Sequence, residues 1–323
     1  MSDIDIELDV EAEVEKRFSI LICIDGSEES YSGLRYAVRM GSDNSADLTL
    51  LYVRPVDQGL SSGGLQMRVA RENMLKWGVQ LPGTKALKRG RDMLVEMGYM
   101  GEDWKEQVVH TDVTGDPLGD NTTVYRNDED ASISLKLLVS PSVDRGILDE
   151  CEVGAYDIAI ISMSETAEAK EHAGYISPAT TFTVATQHRG TVLVARELEE
   201  DHGHFMCVDF SDKAIQAAVK DAQIAARCHC PVHLYSVASN EDELEKAKGV
   251  VAKAKAAIEA EGLSIAGESV EIGDPVESIV GKGRKFSLIV LADTSVKGLR
   301  RFFTTSVAYE VLQKAANSVM IVR

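Results

Sequence analysis

Cys23-Ile24-Asp25-Gly26-Ser27 and Cys207-Val208-Asp209-Phe210-Ser211 share one pattern: cysteine, β-branched residue, aspartate, variable residue, serine. The displacement that carries Cys23 onto Cys207 also carries Val53, the end of the apolar run 48–53, onto Val237, the end of the run 232–237. Two strand-like runs and two polar turns related by one displacement mark a duplicated folding unit. In each copy an apolar run, 18–24 or 204–208, enters the Asp-x-Ser turn and then a segment of helical character. Asp and Ser oxygens accept from the unpaired N–H groups at a helix start, so Ser27 and Ser211 are candidate N-caps.

The second copy reads onward as a strand over 232–237, a long Ala/Lys/Glu helix over 242–261 and a strand over 268–272. After Gly273-Asp274-Pro275 come a short helix, the strongly apolar strand 287–292, a helix near 306–316 and a closing strand over 318–322. The first copy supplies matching strands over 157–162 and 191–195. Strands alternating with helices predict an α/β fold, a parallel sheet covered on both faces. The chain is therefore expected to hold two repeated five-stranded parallel sheets, each doubly wound, over 18–196 and 204–323.

Ile158 and Leu288 occupy equivalent places but lie closer together than the other repeated pairs, so the first copy carries an insertion, assigned to about 54–140. Within it, 104–113 and 121–126 flank Thr114-Gly115-Asp116-Pro117-Leu118-Gly119, a Gly/Pro-rich turn that predicts a β-hairpin. Being what the first copy has gained, this insertion is the expected partner-facing surface, and removing 104–127 is expected to leave both cores folded. Residues 4–15 alternate apolar and acidic, which is a strand period. They read as an edge strand with a solvated acidic face, or as a strand added to another subunit.

A length of 323 residues suits two domains. With 52 acidic against 34 basic residues, the net charge of −18 repels nucleic acid and anionic membrane surfaces. No apolar run has membrane-spanning length and the N-terminus lacks a signal-peptide pattern, so a cytoplasmic location is expected. Five cysteines in that setting read as reduced thiols.

The order of elements and the local motifs resemble the universal stress protein family in its tandem, two-domain form. The resemblance rests on the two Asp-x-Ser turns, on Gly273-Asp274-Pro275, and on the stretch holding Gly298-Leu299-Arg300-Arg301 and Thr305-Ser306-Val307. It implies that the two units pack as a pseudo-dimer through their final strands. Nucleotide-binding members carry Gly-x-x-Gly, nine residues, then Gly-Ser or Gly-Thr, where glycine lets main-chain N–H groups approach the phosphate oxygens. Here the same spacing reads Ala292, Ser295, then Thr305-Ser306, without any of those glycines. By resemblance the second-unit site comprises Asp209, Val237, Ala292, Ser295, Thr305, Ser306 and Val307, and the first-unit counterparts are Asp25 and Val53. The matching first-unit loop carries Glu165, Glu168 and Glu171, three carboxylates where a phosphate would have to sit.

Cys228-His229-Cys230 lacks a second Cys/His pair at finger-like distance, so no metal ligand is assigned. Gly281-Lys282-Gly283-Arg284-Lys285 precedes a strand instead of following one, and reads as a helix end and turn. No Ser/His/Asp elbow and no His-Glu-x-x-His are present, so no catalytic residue is assigned. The expectation is a regulatory or interaction protein with degenerate nucleotide pockets, no resident cofactor, a protein partner at the insertion or N-terminal strand, and homo-oligomerisation. The alternative is an ATP- or AMP-binding stress protein using the second-unit pocket, with or without weak hydrolysis.

Overall fold

The computed structural model describes residues 17–42, 45–56, 82–114, 116–163, 170, 174–196, 203–293 and 307–323, apart from the side chains of Pro82, Pro117 and Leu118. The acidic alternation over 4–15, the three glutamates Glu165, Glu168 and Glu171, and Ser295, Thr305 and Ser306 lie outside these residues.

In the first unit, β1 (Phe18–Cys23) pairs in parallel with β2 (Ala46–Pro55) on one side and β6 (Ile158–Ser162) on the other. β2 continues in parallel to β5 (Ser132–Ser140), and β6 to β7 (Thr191–Ala195). The second unit repeats this order: β8 (His204–Cys207) lies between β9 (Val232–Ala238) and β11 (Leu288–Ala292), with β10 (Gly267–Ile272) beyond β9 and β12 (Ser318–Val322) beyond β11.

The continuous apolar runs follow from cover on both faces. Ile20, Ile22, Leu48 and Leu50 point into one core layer, with α1 (Ser32–Met40), α2 (Pro82–Glu96), α5 (Asp212–Arg227) and α6 (Glu241–Ala260). Their neighbours Leu21, Cys23, Leu51 and Val53 point into the other, with α3 (Val143–Gly154), α4 (Pro178–Gln187), α7 (Pro275–Gly283) and α8 (Val307–Lys314). Each such Ile or Leu, fully removed from water, contributes about 1.5–3 kcal/mol. No described helix is long and apolar enough to cross a membrane.

The two sheets are not separate. β7 and β12 pair antiparallel, Val319 opposite Val194, Met320 opposite Leu193 and Ile321 opposite Val192, so one twelve-stranded sheet runs through both units. This pairing covers the edge that each unit would otherwise expose. At the seam, Ser318 Oγ accepts from the Tyr36 hydroxyl at 2.8 Å and from the Arg196 main-chain N–H at 2.8 Å.

The span 54–140 is not all insertion. β5 is the third strand of the first unit, parallel to β2 as β10 is to β9. The added part is the hairpin of β3 (Lys105–Val113) and β4 (Asp116–Arg126), which extends the sheet beyond β5. β4 is also tied to the core, contrary to the expectation that 104–127 could be removed cleanly. Tyr125 is buried, the Asp120 carboxylate accepts from Val139 N–H at 2.7 Å, and Arg54 donates twice to Asp116, at 2.7 and 2.6 Å. Gly119 has φ +56, and a Cβ there would meet Thr111 O at 2.4 Å, so the hairpin end requires glycine. β3 ends the sheet with nearly every residue exposed.

Candidate functional site

In an open parallel sheet, ligands bind beyond the carboxyl ends of the strands, where the strand order reverses. In the second unit that place lies between β8 and β11, in the first between β1 and β6. Asp209 follows β8, Val237 nears the end of β9 and Ala292 ends β11, so three of the sequence-predicted positions come together there. Val307 is the first residue of α8 and is 41% exposed. Asp25 and Val53 hold the corresponding places after β1 and in β2.

The two aspartates build the same turn. Asp25 Oδ1 accepts from Ser27 N–H at 2.9 Å and from the Ser27 hydroxyl at 2.6 Å. Asp209 Oδ1 accepts from Ser211 N–H and hydroxyl at 2.9 and 2.6 Å. Ser211 Oγ then accepts from Ala214 N–H and is the N-cap of α5. Ser27 Oγ accepts from Ser30 N–H, which leads into a short 3-10 turn, Glu29–Tyr31, ahead of α1. Ser27 is therefore a turn residue and not the cap of an α-helix.

What surrounds the turns differs. Asp25 is 1% exposed, and its Oδ2 accepts from Ile176 N–H at 3.0 Å. Gly174 N–H donates to the Tyr52 hydroxyl at 3.0 Å. A Cβ on Gly174 would lie 2.6 Å from the Tyr52 ring and 2.7 Å from Val53 O, so only glycine lets the chain pass this close. Ile176 is buried, and burial raises the Tyr52 hydroxyl above its ordinary pKa, so it is neutral when it accepts from Gly174. The chain at 174–176 thus covers Asp25 and the main chain of Val53. In the second unit Asp209 is exposed, while Val237 and Ala292 are half-buried. Next to Asp209 in the chain, Phe210 carries the Lys246 ammonium 4.1 Å over its ring.

A second group of reactive side chains lies at the other end of the strands. His204 opens β8, opposite Val232, and its Nδ1 lies 2.7 Å from Asp221 Oδ1 on α5, both residues buried. Cys228 follows α5 and Cys230 precedes β9. The Cys228 thiol donates to Cys230 Sγ at 2.7 Å, and the Arg39 guanidinium approaches that sulfur at 3.7 Å. The Cys228–Cys230 contact lowers the pKa of the Cys230 thiol, against burial and helped by His204 and Arg39, and raises that of Cys228. Burial opposes charge on His204, but Asp221 and Cys230 outweigh it and hold the imidazole at about 9. Sequence spacing did not join His204 to the cysteines. The link is the parallel pairing of β8 with β9, which brings residues 204 and 232 side by side.

Residues 17–87 match the model of the Universal stress protein family. No curated protein sequence matches the chain. Among solved structures, a universal stress protein from Archaeoglobus fulgidus is similar with a TM-score of 0.61 at 14% identity, covering 94% of this chain and 98% of that one. A putative universal stress protein from Pseudomonas aeruginosa is similar with a TM-score of 0.57 at 15% identity, covering 94% of this chain and 92% of its own. A functionally unknown protein of the same species gives the same values. At these identities the likeness is one of fold.

Proposed function

From the family-model match over residues 17–87 and the fold likeness over most of the chain, we propose that this is a tandem, two-domain member of the universal stress protein family with a regulatory role, in which the first unit's pocket is filled by the protein itself and only the second unit's cleft receives a ligand. The observation that carries this reading is the contrast between the two aspartates. Asp25 is sealed under 174–176 with both oxygens engaged, whereas Asp209, in the same turn, is exposed. The ligand class implied for the open cleft is an adenine nucleotide such as ATP or AMP, held by Asp209, Val237, Ala292 and Val307 with Ser295, Thr305 and Ser306.

Calorimetric titration with ATP and with AMP, each with and without magnesium, tests this. One nucleotide is expected per chain, and Asp209→Ala is expected to abolish its binding heat. Two sites per chain, or binding that survives Asp209→Ala, would contradict the proposal.

The hairpin supports an interaction role. β3 is an end strand whose outer main-chain groups face no further strand, with Val108 63% and Val109 46% exposed on its two faces, and such an edge can pair with another chain. We assign this edge to a second copy of the protein. Val109→Lys is expected to shift the species measured by light scattering toward the monomer, because a buried lysine at a strand edge opposes pairing. An unchanged mass would remove the hairpin edge as the self-association surface.

A further inference from the structure

The Cys228/Cys230 pair lies well away from the nucleotide cleft, at the opposite ends of β8 and β9. His229, between the cysteines, has φ +53, a left-handed backbone that is uncommon for a residue with a side chain. That turn sets both sulfurs on one side, 2.7 Å apart, and they must part by about 1 Å to take tetrahedral places around a Zn2+ at about 2.3 Å from each. With His204 Nδ1 held by Asp221, Nε2 is the ring nitrogen left for the thiols. The ligand atoms of His204, Cys228 and Cys230 all lie within 4.8 Å of one another.

This donor set has a definite chemistry. Two thiolates and an imidazole suit a thiophilic cation with no geometric demand of its own, Zn2+ above all, and are poor ligands for Mg2+ or Ca2+. A buried carboxylate on the far nitrogen of the histidine is the usual partner of a metal-bound imidazole, since it fixes the tautomer and the ring orientation. Asp221, 0% exposed, occupies that place. Beside the cluster is a cavity of about 100 Å³, lined by Tyr36, Arg39 and Met40 of the first unit and by Gly203, Pro231 and Ser287 of the second. It has room for a water molecule as a fourth ligand.

We propose that His204, Cys228 and Cys230 form a zinc site at the junction of the two units, with Asp221 positioning the imidazole and the fourth place open to the cavity. Its donors come from the second unit alone, while Arg39 closes it from the first. The ion therefore ties the end of α5 to the start of β8 and β9. The site is independent of the nucleotide reading, because none of its residues belongs to that cleft.

The test uses the full chain, stripped with a chelator and kept reduced. Titration with Zn2+ against a chromophoric chelator is expected to show one equivalent bound, with a rise in melting temperature. Co2+ in place of Zn2+ is expected to give thiolate-to-cobalt charge-transfer absorption. Cys228→Ser and Cys230→Ser are each expected to lose the charge-transfer intensity and stoichiometric binding. Asp221→Asn, which still accepts from Nδ1–H, is expected to weaken Zn2+ binding about 10–100-fold while the charge-transfer bands remain. Should the cysteine variants fail to fold, the cobalt spectrum of the unaltered chain decides, and absence of the charge-transfer bands overturns the proposal. A Cys228–Cys230 disulfide that, once reduced, leaves a protein taking up no Zn2+ would also overturn it, in favour of a redox pair.

Discussion

Asp116→Ala is expected to lower the unfolding free energy by about 3–5 kcal/mol, the cost of leaving a buried charge without its partner. Arg54 and Asp116 form a two-pronged ion pair at 2.7 and 2.6 Å, with the side chains 11% and 0% exposed. Asp116 also accepts from Gly119 N–H, so the same carboxylate shapes the hairpin end. Without it, the Arg54 guanidinium at the end of β2 stays out of water with only the more distant Asp120 carboxylate to balance it. Chemical denaturation measures the loss, and hydrogen exchange is expected to show faster opening over β3 and β4 before the rest of the sheet. The double variant Arg54→Met with Asp116→Leu is expected to recover most of the stability, because an apolar pair carries no desolvation cost. A loss below about 1 kcal/mol for Asp116→Ala would place this pair with ordinary surface ion pairs and detach the hairpin from the core.

Asp25→Ala is expected to cost about 3 kcal/mol, and Asp209→Ala about 1 kcal/mol or less. Both variants remove the acceptor of the same Asx turn. In the first unit the carboxylate also holds a distant segment, through Ile176 N–H, and its donors are shut away from water, whereas among the described residues Asp209 holds no such segment. Half-buried Ser211, beside exposed Asp209, can turn to solvent when that carboxylate is lost. The discriminating measurement is the difference between the two denaturation midpoints, with hydrogen exchange at 174–176 rising in Asp25→Ala alone. Equal costs would mean that the first pocket is not held shut by this contact.

Much of the architecture could be read from local pattern. Apolar runs ending in Asp-x-Ser located β1 and β8 within a residue or two, and the expected helix over 242–261 lies at Glu241–Ala260. β5 shows where such reading stops. Ile133, Leu135 and Leu137 alternate inward as a strand should, yet the broken repeat displacement assigned them to the insertion. Their identity as the third strand depends on pairing with β2, a non-local event that no alternation specifies. The antiparallel joining of β7 to β12 was an implication of family resemblance, since apolar strands alone do not say which edges meet.

The sequence by itself determined a duplicated α/β unit, because strand period, turn chemistry and helix starts are encoded within a few residues of one another. Only the tertiary structure decided that the copies differ. Asp25 and Asp209 have the same local turn, but Asp25 receives a donor from Ile176, 151 residues away, and is buried by it. Likewise, His204 meets Cys228 and Cys230 only because β8 pairs with β9 and the turn at His229 gathers the two sulfurs. A side chain's local pattern sets what it can bond; packing of distant segments sets what it does bond and whether water can reach it.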